Sequence, residues 1–149
     1  TDPGARERAD QVKAALALQA GGHSDALAIV TAFDEWRKSQ NQNRYCSERF
    51  LANGVLMSIA SMRDQLLEDI SARGFLEGGN TNAANRNSAN RPLVRAVLAM
   101  GMYPKFGRAL PACDLPPNAS ATLISARGEK VRLHQASVNS RAYPREGLN

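Results

Sequence analysis

Cysteine is scarce in this chain, and its scarcity excludes two classes of protein. Cys46 and Cys113 are the only cysteines among 149 residues, too few for a disulfide-rich domain and without the neighbours that a structural zinc site needs. His23 and His134 lie far apart in the sequence, so we predict no metal site. Few cysteines also favour a reducing, intracellular compartment.

Long apolar runs are absent as well. No stretch reaches the ~18 apolar residues of a membrane span, so we expect no membrane partner. The chain begins without Met and without a charged and then apolar leader, and we interpret it as a fragment or a processed piece. Its length and its 43% hydrophobic content fit about one ordinary folded domain.

Sequence motifs for catalysis are missing too. There is no G-x-x-x-x-G-K-[ST] phosphate loop and no Asp-Glu-x-His box, so we expect this chain alone to bind no cofactor and to hydrolyse no ATP. The carboxylate pairs at 34–35 and 68–69 lie among Lys and Arg on predicted helices, which indicates solvated faces. We expect Cys46 to be a small buried hydrophobic residue rather than a nucleophile. We predict no catalytic residue.

The positive charge is concentrated in the second half of the chain. Residues 1–75 carry nine Lys and Arg against ten Asp and Glu, a net charge of −1, whereas residues 76–149 carry ten against four, a net charge of +6. This asymmetry suggests a basic module that faces a polyanion beside a neutral structural module. A modest basic excess that only aids solubility is the alternative.

The first two thirds of the sequence predict helices. Helix formers from Ala5 onward stop at Gly21-Gly22, Ser24 is the expected cap of a second helix, and a short segment around residues 45–51 follows. Asn53 is a candidate cap for the next helix, whose apolar residues recur at spacings of three and four until Gly74. Asn-rich residues 77–91 predict a loop, and Pro92 opens a short helix.

The spacing of apolar residues then changes from one typical of helices to one typical of strands. Residues 121–125 resemble a strand, Arg127-Gly128 resembles a turn, and residues 130–134 alternate polar and apolar side chains. Together they predict an antiparallel β hairpin. The predicted fold class is therefore mainly α, a helical bundle followed by a short hairpin.

The ordered motifs resemble one family, the DEAH/RNA-helicase-A-type ATP-dependent RNA helicases. The segments that carry the resemblance are HSDAL at 23–27, FDEW at 33–36, YCSERFL at 45–51, MRDQL at 62–66, GMYP at 101–104 and HQASVN at 134–139. They resemble that family's SDHL, AF–W, YC–FL, lrrQl, GLYPN and HPSSVN elements. Ala26 and Gln135 depart from the family's His and Pro.

The resemblance implies a domain plan and a set of structural residues. Residues 1–22 would end a winged-helix or linker region, 23–103 would form the helicase-associated bundle called the ratchet, and 104–149 would begin an OB-fold. ATP and Mg²⁺ would belong to motor domains of the parent helicase. The motif residues expected to be structural are Ser24, Asp25, Trp36, Cys46, Phe50, Tyr103, Pro104, His134, Ser137 and Asn139.

Basic residues around the predicted hairpin carry the functional hypothesis. The candidate RNA contacts are Lys105, Arg108, Arg127, Lys130, Arg132 and Arg141, because OB-folds bind single strands with basic side chains along a sheet face. A solvated face is the alternative for Lys130 and Arg132. The chain as a whole is interpreted as an accessory RNA-binding region. A docking module for the motor domains or a protein activator, and an unrelated basic helical protein, are the rivals.

Overall fold

The computed structural model describes residues 4–76, 80–110 and 122–140. It confirms the predicted fold class, since helices dominate and a small antiparallel sheet follows them. The helices are α1 (Ala5–Gln19), α2 (Asp25–Lys38), α3 (Gln42–Glu48), α4 (Asn53–Ala72), α5 (Thr81–Ala84) and α6 (Arg91–Gly101), and the strands are β1 (Gly107–Ala109), β2 (Thr122–Ser125) and β3 (Lys130–Arg132).

The chain divides into two compact units. Unit 1 joins Thr1–Thr31 with Arg95–Asn149, and unit 2 is Ala32–Val94. Unit 1 therefore contains α1, the first half of α2, the end of α6 and the sheet. Unit 2 contains the rest of α2, α3, α4, α5 and the start of α6.

In unit 1 the connection between α1 and α2 is held by an arginine from α6. Gly21 and Gly22 end α1 with φ values of 92° and 73°, a left-handed conformation that glycine adopts without steric cost. Arg95 donates from Nη2 to the carbonyl oxygens of Gly21 and Gly22 at 2.7 and 2.6 Å. The side chain thus satisfies carbonyls that the helix end leaves without partners.

The sheet of unit 1 has three antiparallel strands in the order β1-β2-β3. The hairpin of β2 and β3 agrees with the sequence, but β1 was not predicted. Its segment Gly107-Arg108-Ala109 holds no β-branched residue, and pairing with β2 is what makes it a strand. The last strand ends at Arg132, so His134 lies beyond the sheet rather than on it.

The core of unit 2 gathers around the single tryptophan. Phe33, Trp36, Cys46 and Leu56 are buried together, and the rings of Phe33 and Trp36 lie 5.6 Å apart. Trp36 donates from Nε1 to Oδ1 of Asn53 at 2.7 Å. Asn53 is therefore not the helix cap that the sequence predicted: α4 begins after Ala52 without a side-chain cap, and the Asn53 amide satisfies the indole instead.

Two further boundaries in unit 2 differ from the sequence prediction. The helix predicted over residues 45–51 ends at Glu48, because Phe50 takes a positive φ of 55°. Inside the predicted Asn-rich loop, α5 forms one helical turn, whose first free amide is satisfied when Asn80 accepts a hydrogen bond from the Asn82 N–H.

The apolar stripe of α4 faces solvent over much of its length. Its predicted members Val55, Met62, Leu66 and Ile70 are exposed, whereas Leu56 is the buried residue of this helix. None of the helices in the described part of the chain combines the length and hydropathy that a membrane span requires.

The hydrogen bond between Trp36 and Asn53 predicts a measurable loss of stability in an Asn53→Ala variant. The indole N–H would stay buried without an acceptor, so we expect the free energy of unfolding to fall by about 1–3 kcal/mol. Urea denaturation followed by the fluorescence of Trp36 measures this. Asn43→Ala, which removes an exposed amide from α3, is the matched control and should change stability by less than about 0.5 kcal/mol. Equal stability of both variants would contradict the assignment.

Candidate nucleic-acid interface

Three basic side chains share one face of the sheet in unit 1. Arg108 on β1 and Lys130 on β3 both pair with Ile124 of the central strand. Residues opposite one another in antiparallel strands lie on the same face, and so do alternate residues along a strand. Arg132, which pairs with Thr122, therefore belongs to this face too. Because strands lie about 4.8 Å apart, Arg108 and Lys130 are separated by roughly 10 Å across the sheet.

Two more candidate residues lie at the end of the sheet. Arg127 is in the turn between β2 and β3, where Gly128 has a φ of 80° and Ser125 Oγ accepts hydrogen bonds from the N–H groups of Arg127 and Glu129. Lys105 lies in the connection that leads from α6 into β1. The sixth predicted contact, Arg141, lies outside the described residues.

The charges of this surface are not neutralised locally. Lys105, Arg108, Arg127, Lys130 and Arg132 are all exposed, and none of them is in a salt bridge among the residues that the structure describes. The sequence places a single acidic residue, Glu129, within positions 80–110 and 122–140. We call the set Arg108, Lys130 and Arg132 the basic face.

The segment after β3 is tied to the N-terminus of α2. Ser137 donates from Oγ to Oδ2 of Asp25 at 2.6 Å, and the Val138 N–H donates to Oδ1 at 3.1 Å. Asn139 donates from Nδ2 to the His23 carbonyl at 3.1 Å. The two motifs that stand at opposite ends of the sequence therefore meet in space, and Ser24 caps α2 beside them by accepting from the Leu27 N–H.

Residues 134–140 form a compact turn that presents Ser137 to Asp25. His134 accepts at Nδ1 from the Ala136 N–H at 3.1 Å, and its carbonyl accepts from the Ser137 N–H at 2.8 Å. Ser140 donates from Oγ to the carbonyls of Gln135 and Ser137. The His134 side chain thus shapes the backbone of the turn, next to the end of β3.

A lysine that no sequence motif indicated completes this contact. Lys13 on α1 lies with Nζ 2.9 Å from Oδ1 of Asp25 and also donates to the Ala136 carbonyl. Partial burial of Asp25 opposes its ionisation, but the hydrogen bonds from Ser137, Lys13 and Val138 and the charge of Lys13 outweigh burial. The pKa of Asp25 therefore lies below its ordinary value.

Trp36 and Cys46, which the sequence assigned to a structural role, lie in the core of unit 2. Burial raises the pKa of the Cys46 thiol, which keeps the thiol protonated and unreactive. Glu35 departs from the predicted solvated face, since it accepts from the Tyr45 hydroxyl at 2.8 Å and pairs with Arg49 at 3.5 Å. Its contacts are those of a structural residue.

The other two motif residues, Tyr103 and Pro104, follow α6 at the surface of unit 1, where Tyr103 is exposed. Within the described residues, no group of three or more His, Cys, Asp or Glu side chains could hold a metal ion. The side chains exposed at this surface include cations and aromatic rings.

Several known proteins with similar sequences are helicases. The chain is 34% identical over 141 residues to the DExH-box ATP-dependent RNA helicase DExH6 of Arabidopsis thaliana, a match that covers 92% of this chain and 10% of that protein. It is 27% identical over 154 residues to the ATP-dependent RNA helicase DHX29 of Homo sapiens, a match that covers 93% of this chain and 11% of that protein. It is 32% identical over 92 residues to the ATP-dependent DNA/RNA helicase DHX36 of Homo sapiens, a match that covers 57% of this chain and 9% of that protein.

The shared region is a small part of each relative. This chain spans about a tenth of the length of the curated relatives it matches. No family model matches the chain.

The contact between Ser137 and Asp25 predicts a specific response to acid. Because the pKa of Asp25 is lowered in the folded state, its stabilising contribution is present above the unfolded-state value of about 3.9 and is lost as pH falls through the lower folded value. An Asp25→Asn variant should lose about 1 kcal/mol at pH 7, a figure reduced for solvent screening because the side chain is 37% exposed. It should also lose less stability than the unchanged chain between about pH 5 and 2.

Urea denaturation as a function of pH measures both effects. Asp34→Asn, which removes an exposed carboxylate from the same helix, is the control. Its free energy of unfolding should fall with decreasing pH in parallel with that of the unchanged chain. An Asp25→Asn curve that also runs parallel would show that the carboxylate does not link folding to protonation.

Proposed function

This chain belongs to the DExH-box RNA helicase family as a helicase-associated region, and from this we propose that it guides single-stranded RNA beside the motor domains of its parent helicase. The relatives are named as ATP-dependent RNA helicases and, in one case, as a DNA/RNA helicase. The observation that carries the proposal is the basic face, where three exposed cations on neighbouring strands lie without acidic partners among the described residues.

The proposed mechanism is electrostatic. Basic side chains that contact phosphates release the counterions condensed on the strand, so binding is sequence-tolerant and weakens as salt rises. The sheet supplies a rigid support that spaces Arg108, Lys130 and Arg132 at fixed intervals. In this proposal the sheet is the beginning of an OB-fold, and ATP and Mg²⁺ are held by motor domains that this chain does not include.

Exposed apolar residues favour a second function, a docking module for protein. Met62, Leu66 and Ile70 on α4, within unit 2, are exposed, and such surfaces mark contacts with protein partners. In this alternative the helices dock on the motor domains or on a protein activator, and RNA contact is incidental.

Neutralising the basic face distinguishes the two functions. We expect a variant that combines Arg108→Gln, Lys130→Gln and Arg132→Gln to bind oligouridine RNA more weakly than the unchanged chain. Each lost phosphate contact should reduce the slope of log K against log salt by about 0.7, hence by about 2 for all three. Fluorescence anisotropy of labelled RNA between about 50 and 200 mM salt measures this.

A matched variant carries the same change of charge outside the sheet. It replaces with Gln three exposed basic residues of unit 2, namely Lys38, Arg73 and Arg86. We expect it to keep most of the salt dependence. Equal loss in both variants would indicate only a net-charge effect, and no loss in the sheet variant would overturn the proposal in favour of docking.

A further inference from the structure

Two aromatic rings are exposed together where α6 leads into the sheet of unit 1. Tyr103 is 75% exposed and Phe106 is 42% exposed, and their ring centroids lie 5.9 Å apart at an interplanar angle of 56°. We call these two residues the aromatic pair. Burial in the core does not explain it, because both rings keep much of their surface in water.

The aromatic pair adjoins the basic face. The carbonyl of Phe106 accepts a hydrogen bond from the Ala126 N–H at 3.2 Å, which fixes Phe106 beside the turn that carries Arg127. Phe106 also stands immediately before β1 and two residues before Arg108 in the sequence. Lys105 lies between the two aromatic residues in sequence.

This combination of groups matches one class of ligand. A single-stranded nucleic acid offers phosphates to cations and unpaired bases to aromatic rings, and every base has a π-face that can stack. An exposed ring flanked by Lys and Arg is poorly suited to an acidic peptide, which would leave the ring without a partner. The apolar stripe of α4, which lies in unit 2, is better suited to a contact with protein.

We propose that the aromatic pair is a stacking site for one nucleobase of a single strand whose phosphates contact the basic face. This inference rests on the proposed function and adds a site to it, with Tyr103 as the exposed platform and Phe106 as its support. Stacking contributes affinity that is not electrostatic. The affinity that the aromatic pair contributes should therefore not depend on salt concentration, whereas the affinity that the basic face contributes should fall as salt rises.

The test uses single strands that carry one 2-aminopurine, whose fluorescence is quenched when the base stacks on a ring. With the unchanged chain we expect quenching on binding. With Tyr103→Ala we expect the quenching to be lost and the affinity to fall by about fivefold to a hundredfold. The slope of log K against log salt should stay unchanged. Tyr103→Phe keeps the ring and should restore both signals.

Phe75→Ala is the matched control, because Phe75 is 76% exposed but lies in unit 2. It should leave quenching and affinity unchanged. RNA and DNA strands of the same sequence are compared: quenching with either supports the stacking site, and the two arms show which sugar it accepts. Absence of quenching with both, or equal affinity of Tyr103→Ala and the unchanged chain, overturns it.

Failure of stacking can be told apart from failure of the proposed function. If the basic-face variant loses salt-dependent binding while Tyr103→Ala binds normally, the stacking site is wrong and phosphate contact stands. If the basic-face variant binds normally, the proposed function itself fails. A strand that is abasic at every position gives an independent check, since removal of the bases should weaken binding to the unchanged chain but not to Tyr103→Ala.

Discussion

The carboxylate of Asp25 is the contact on which the arrangement of unit 1 depends. It accepts hydrogen bonds from Ser137 and Val138 and pairs with Lys13, so one side chain joins α1, α2 and the turn after β3. Closing a loop of more than a hundred residues costs conformational entropy, and several charge-assisted bonds at one point help to offset it. Because β3 ends five residues before Ser137, fixing the turn also fixes the end of the strand that carries Lys130 and Arg132.

Unit 1 uses its charges in two distinct ways. Lys13 and Asp25 neutralise each other within the fold, whereas the cations of the basic face remain in water without acidic partners among the described residues. An exposed, unpaired cation keeps its full solvation and costs the fold little, and it attracts a polyanion over roughly a Debye length, about 8 Å at physiological salt. A cation already engaged in a salt bridge would have to give up its partner before it could contact a phosphate. The lack of acidic partners among the described residues therefore supports the proposed contact with a polyanion.

The sequence predicted features that arise from local chemistry and missed those that arise from tertiary contact. Helical periodicity, the Gly21-Gly22 stop and the Arg127-Gly128 turn all follow from nearby residues, and the structure has them. The strand β1 could not be predicted, because it holds no β-branched residue and exists through its pairing with β2. Both the Asp25 and Ser137 motifs were visible, but nothing in the sequence indicated that they touch, or that Lys13 joins them. Asn53 was mistaken for a cap because capping is local, whereas its true partner, Trp36, lies on another helix.

In the proposed interface, the cations on the sheet and the aromatic rings beside it make two different kinds of contact with a single strand of nucleic acid. Phosphate contacts are strong at low salt and fade as salt rises, while stacking persists because it depends on surface rather than on charge. In the proposed interface neither contact distinguishes one base from another, so together they suit a strand of any sequence. They can act on the same strand only if their spacing is fixed. The hydrogen bond from Ala126 to the Phe106 carbonyl and the pairing of Arg108 with Ile124 provide that spacing within a few residues of β1. In the proposed interface, the short strand β1, which the sequence did not reveal, is thus the element that brings the two kinds of contact together.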